Sequence, residues 1–74
     1  MKNEIEAIMK TVFELSEDFP KNNLNNMHIG TWDSLNHMNL IVALEEEFDV
    51  TFDEEEINEM ISLELIELIL KQKC

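Results

Sequence analysis

Between residues 3 and 15 the apolar side chains Ile5, Ile8, Met9, Val12, Phe13 and Leu15 recur every three or four positions, with Glu4, Glu6, Lys10 and Glu14 between them. That period predicts an amphipathic helix from Asn3 to about Leu15, with one stripe for a core and one face for water. Lys10 and Glu14 are one turn apart and are expected to pair across the solvated face.

The period then fails. Residues 16–33 hold the only proline, Pro20, the only glycine, Gly30, and the asparagines Asn22, Asn23, Asn25 and Asn26, all of which favour turns over helix. A connection of this length needs side chains that pin it to the core, and Phe19, Leu24, Met27 and Ile29 are the expected anchors. His28 has no second His or Cys at ligand spacing and reads as a loop histidine.

Helical period resumes at Thr31-Trp32-Asp33-Ser34-Leu35-Asn36-His37-Met38 and is predicted to run from Ser34 or Leu35 to about Glu47. Asp33 and Ser34 both have short side-chain oxygens that can accept the unpaired N–H groups of a first turn. One of them caps. The other then faces water at a helix N-terminus, where a phosphate on a serine oxygen is electrostatically favoured. Along this helix Leu40, Ile41, Leu44 and Phe48 form the expected core stripe, and Leu35, Met38 and Val42 form a second stripe rotated around the axis. The second stripe belongs either to the core or to a partner surface.

Asp49-Val50-Thr51-Phe52 interrupts the pattern, after which Asp53, Glu54, Glu55 and Glu56 place acids in the first turn of a short helix with Ile57, Met60 and Ile61 on its apolar side. A calcium loop over Asp49 to Met60 is excluded, because Glu54 stands where that loop needs glycine and Met60 where it needs a bidentate glutamate. Ser62 is the expected cap of a last helix whose apolar residues are Leu63, Leu65, Ile66, Leu68, Ile69 and Leu70. Lys71 and Lys73 follow at the negative end of its dipole. The pattern as a whole predicts one all-α domain over residues 1–74, a small irregular four-helix bundle with three main helices and a short third one.

Charge narrows the function. Of seventeen acidic residues, all but Glu4, Glu6, Glu14, Glu17 and Asp18 lie between residues 22 and 70, a stretch without Lys or Arg, and the formal net charge is −12. Such a surface repels nucleic acid and anionic membranes and attracts basic partners. No run approaches a membrane span, and the start of the chain lacks a signal-peptide apolar region. A monomeric cytoplasmic protein is expected. Cys74, the one cysteine, excludes an internal disulfide and reads as an exposed terminal thiol.

Ser34 and His37, three residues apart with Asp33 adjacent, invite comparison with a catalytic triad. A triad needs its acid on the far side of the histidine, an oxyanion hole and a pocket that excludes water, and a chain of 74 residues has little room to enclose a substrate. No glycine-rich phosphate loop or paired metal ligands are present either. A chain that is not itself an enzyme is expected.

The residues Asp33-Ser34-Leu35, then Met38, Leu40 and the run Val42-Ala43-Leu44-Glu45-Glu46-Glu47-Phe48, resemble the acyl carrier proteins. The likeness extends over almost the whole chain, in the order amphipathic helix, long loop, Asp-Ser-Leu, acidic short helix, apolar last helix. It implies that Ser34 accepts 4′-phosphopantetheine from coenzyme A through a phosphopantetheinyl transferase. Asp33 would support that modification, and acyl groups would ride on the thiol of the arm as thioesters.

By position, the resemblance implies a partner surface of Asp33, Leu35, Met38, Val42, Glu45 and Glu46, with Glu54 on the third helix. The partners implied are acyl-activating or acyl-transferring enzymes with basic docking patches. It also implies a bundle interior that opens for an acyl chain, with Leu44, Met60, Ile61 and Leu65 as its lining. Thr31-Trp32 stands where fatty-acid carriers usually have Gly-Ala, and Asn36 and Asn39 replace common acids. These departures make the serine end less acidic, add an exposed aromatic unless Trp32 packs as a loop anchor, and point to a dedicated lipid, polysaccharide or secondary-metabolite pathway. A carrier of peptidyl or D-alanyl cargo shares the serine and the arm. The alternative from another class is an acidic interaction module in which Ser34 is only a helix cap.

Overall fold

In the computed structural model, which describes residues 1–73, the chain forms α1 (Lys2–Val12), α2 (Ser34–Phe48), α3 (Glu54–Glu59) and α4 (Leu63–Lys73). A 3₁₀ turn at Lys21–Asn23 lies in the long first loop, and among the described residues no β-strand forms. The small irregular helical bundle expected from the pattern is what folds. Cys74 lies outside the described residues.

α1 packs against α2 and α4, and α3 packs against α4. Their common core contains Ile5 and Met9 of α1, Leu40, Ile41 and Leu44 of α2, and Leu63, Ile66, Ile69 and Leu70 of α4. Phe13, Leu24, Ile29, Phe52 and Met60 fill it from the connections. Every one of these is apolar, as the desolvation cost of an unpaired polar group requires. Phe48 lies at the edge of the core, half-buried.

Helix α1 ends three residues before the expected Leu15. Glu14 turns left-handed at φ 56°, and Leu15 N donates back to Lys10 O at 2.9 Å, which closes a Schellman-type end without glycine. The apolar period continues past the break because Phe13 and Leu15 pack against the core from the turn as well as they would from a helix. The same turn removes Glu14 from Lys10's reach. Lys10 Nζ instead lies 3.5 Å from Glu6 and donates to Glu17 O at 2.9 Å.

In the long loop Leu24 and Ile29 are buried and Phe19 half-buried, as anchors should be, but Met27 is 88% exposed. Asn25 explains the difference. Its Oδ1 accepts both Met27 N and His28 N, a side-chain turn that directs residue 27 outward, while Asn25 also forms an antiparallel bridge with Ser62. His28 is exposed, with Nδ1 2.9 Å from Asn25 Oδ1.

Two caps fix the second half of the chain. Asp53 Oδ1 accepts Glu56 N and Glu56 Oε1 accepts Asp53 N, a full capping box that starts α3. Ser62 Oγ accepts Leu65 N at 3.2 Å at the start of α4. Ile61, Leu65 and Leu68, expected on apolar faces, remain exposed on the outside of α4 and the turn before it.

Candidate functional site

The N-terminus of α2 is where the sequence placed its chemistry, and the geometry divides the roles of Asp33 and Ser34. Asp33 is the cap. Its backbone is extended, its Oδ1 accepts Asn36 N at 2.8 Å, and its own carbonyl accepts His37 N at 2.8 Å. Ser34 is the first helical residue and is exposed, and its Oγ takes part in none of the side-chain hydrogen bonds among the described residues. A serine there is free to be a nucleophile, because its hydroxyl is not needed to hold the helix.

The segment that carries Ser34 is tied down on both sides. Thr31 Oγ1 donates to Phe13 O at 2.9 Å, and Asn36 Nδ2 donates to Thr31 O at 2.8 Å. Asn39 Nδ2 reaches Asn36 Oδ1 at 3.3 Å. An acid in place of Asn36 could not donate to Thr31, which gives this asparagine a structural reason. Trp32, read from sequence as either an exposed aromatic or a packed anchor, is packed. Its ring stacks on Phe13 with centroids 4.5 Å apart, and its Nε1–H donates to His37 Nδ1 at 3.0 Å.

His37 completes the frame. Because an indole N–H can only donate, Nδ1 must accept, so the proton of the neutral ring sits on Nε2 and points to Ile57 O at 2.8 Å. Both ring nitrogens are therefore engaged, one with the loop before Ser34 and one with α3. Neither is turned to Ser34 as a general base.

Along α2 from Ser34, the second stripe lies outside the core. Leu35 is 72% exposed, Met38 46% and Val42 48%, whereas Leu40, Ile41 and Leu44 on the opposite face are buried. Single exposed apolar residues are ordinary, but these three share one helical stripe that starts beside an accessible serine. Glu46, further along α2, and Glu54, at the start of α3, are exposed as well. Glu45 differs. Its Oε2 accepts Phe52 N at 2.9 Å and the residue is half-buried, so it holds the α2–α3 connection and offers less to a partner than a free glutamate would.

The comparison with protein-family models gives no match, and the comparison with curated proteins gives none either.

The expected lining of an acyl chamber is divided by the fold. Leu44 and Met60 are fully buried, while Ile61 and Leu65 are exposed, the latter two beside Leu68 in a surface groove that also includes Asn58, Glu59, Ile69 and Gln72. The four do not face one interior space, because the turn Met60-Ile61-Ser62 sends adjacent side chains to opposite sides. No group of three or more His, Cys, Asp or Glu among the described residues could hold a metal ion. Among them, too, no helix is long and apolar enough to cross a membrane.

The acidic surface carries one further electrostatic feature. Glu56 has its pKa held below the usual glutamate range, first by the N–H of Asp53 and then by Lys73, whose Nζ lies 2.9 Å from Oε1. Lys73 also lies over the Phe52 ring at 5.6 Å, so the last turn of α4 is fastened to the start of α3.

Proposed function

We propose that this protein is a carrier of the acyl-carrier type, in which Ser34 receives 4′-phosphopantetheine from coenzyme A and the domain presents the loaded arm to partner enzymes. The observation that carries the reading is the free, exposed Ser34 Oγ at the first position of α2, with Asp33 holding the cap in its place. In the modification Ser34 Oγ attacks the pyrophosphate of coenzyme A and forms a new P–O bond. Adenosine 3′,5′-bisphosphate leaves, and the serine proton passes to the transferase.

The residues present suit the group. Asp33 satisfies Asn36 N, which leaves the N–H groups of Ser34 and Leu35 at the positive end of the helix for a phosphate on Oγ. Exposure of Ser34 gives an arm freedom to enter other active sites, where a tethered group acts at high effective concentration. The arm, when bound, supplies a thiol that carries acyl cargo. Leu35, Met38 and Val42 then serve as the apolar centre of a small docking patch, and Asp33, Glu46 and Glu54 as acids that attract Arg and Lys around it. Glu45 contributes charge but is held by Phe52 N. Asparagines at 36 and 39 keep negative charge low beside Ser34, which favours partners of a dedicated pathway over those matched to a more acidic carrier.

Incubation with coenzyme A, Mg²⁺ and a promiscuous phosphopantetheinyl transferase, followed by intact-mass measurement, tests the reading. The expected result is a gain of one phosphopantetheine on wild type and none on Ser34→Ala. An unmodified wild type would favour the acidic interaction module, and a modified Ser34→Ala would place the site elsewhere.

A further inference from the structure

Trp32 and His37 bracket Ser34, two residues before it and three after, and the hydrogen bond between them closes over the first turn of α2. On one side the closure is anchored through the Trp32–Phe13 stack to the end of α1. On the other it reaches α3, since His37 Nε2–H donates to the carbonyl of Ile57 near that helix's C-terminus. Six residues of helix are marginal in isolation, and their last carbonyls need outside donors. His37 supplies one. The chain Phe13–Trp32–His37–Ile57 thus crosses the bundle end that presents Ser34 and joins three of its elements there.

The two bonds together need the ring's proton on Nε2. Neutral His37 accepts at Nδ1 and donates at Nε2, whereas an imidazolium donates at both and would set two N–H groups of Trp32 and His37 against each other. The acids beside the linked residues include Asp33 one turn earlier, Glu14 beside Phe13, and Glu54, Glu55, Glu56 and Glu59 of α3. Asp33 is bound to Asn36 N, and Glu56 to Asp53 N and Lys73; the other four are exposed. Among the described residues none of the six forms an ion pair or side-chain hydrogen bond with His37.

We propose that Trp32 and His37 are positioning residues for the modification of Ser34, acting as a clamp that fixes the serine-bearing turn against the end of α1 and against α3. The positioning role rests on Ser34 being the modified residue. The clamp itself does not. Neither side chain touches the reacting atoms; they hold the turn from which Ser34 Oγ projects, and small misplacements of a reacting group cost rate steeply.

Three variants separate the possibilities: Trp32→Phe keeps an aromatic ring on Phe13 but loses the donor, His37→Leu loses both bonds, and His37→Gln can accept from Trp32 and donate to Ile57 without titrating. Circular dichroism establishes that each is folded. Because Trp32 is the only tryptophan, its indole N–H gives one assignable resonance. In wild type that resonance should sit at a hydrogen-bonded position, and His37→Leu should move it away from there. His37→Gln, which can still accept from Trp32, should keep the resonance near its wild-type position. A resonance unmoved in His37→Leu overturns the clamp.

In the transferase assay, Trp32→Phe and His37→Leu should lower kcat/KM on the order of tenfold, with His37→Gln restoring most of it. Equal rates in all four proteins overturn the positioning role while leaving Ser34 as the site. No modification of wild type overturns the reading of Ser34, and the positioning role with it.

Discussion

Asp33 Oδ1 and Asn36 N lie 2.8 Å apart, and that one contact separates the residue that builds α2 from the residue that is free to react. Asp33→Ala should therefore destabilise the fold by about 1 kcal/mol through loss of the cap. In a domain of this size that corresponds to a fall in Tm of about 4–8 °C. Ser34→Ala removes no hydrogen bond and should leave Tm nearly unchanged while abolishing phosphopantetheine transfer. Thermal melts of the two variants side by side check the division of labour. A larger loss in Ser34→Ala would mean that the serine is the structural residue.

The exposed stripe makes the opposite prediction from the buried one. Met38→Glu and Val42→Glu should change stability by no more than about 0.5–1 kcal/mol, because each side chain is already about half in water. Transfer to partner enzymes should fall markedly, since a charge in the apolar centre of a docking patch is desolvated at a cost. Leu40→Ala, on the buried face, should cost about 2–5 kcal/mol. Urea titrations together with transfer assays distinguish the two faces.

Glu45 and Glu46 are adjacent acids with different duties. Glu45→Ala leaves Phe52 N without its acceptor and should cost on the order of 1 kcal/mol. Glu46→Ala should stay within about 0.5 kcal/mol. Their effects on association should reverse that order, with Glu46→Ala lowering the on-rate for a basic partner and weakening its salt dependence.

Glu56 ties acid stability to the junction of α3 and α4. Its folded-state pKa lies below the usual glutamate range, chiefly through the Asp53 N–H and then through Lys73. A depressed folded pKa means that the unfolded chain takes up the proton first as pH falls. The contribution is present in full above the unfolded-state pKa and is lost as pH falls through the folded-state pKa. Glu56→Gln should flatten the acid limb of a stability–pH curve measured by urea denaturation, with little change in its slope near neutrality. An unchanged acid limb would show that the charge on Glu56 contributes nothing measurable through either the Asp53 N–H or Lys73.

The helices, the core stripe of α2 and the stop at the long loop were legible in the order of residues alone, because each depends on spacing within a few positions. Ile5, Met9, Leu40, Ile41 and Leu44 are buried where their period placed them. Ser34 was marked as well, since an Asp-Ser pair ahead of an apolar run is a local signal. Which of the pair caps was not legible, and an extended backbone at Asp33 and an N–H at Asn36 settled it. Met27 and Leu24 look alike as loop anchors, and only the side-chain turn at Asn25 sends one out and one in. The least legible feature was Trp32–His37–Ile57. Its members are spread over a loop, α2 and α3, and hydrogen bonds between elements far apart in the chain leave no period to read. Short-range chemistry singled out Ser34 as the candidate; the contacts of Trp32 with Phe13 and of His37 with Ile57 beside it are decided by the tertiary fold.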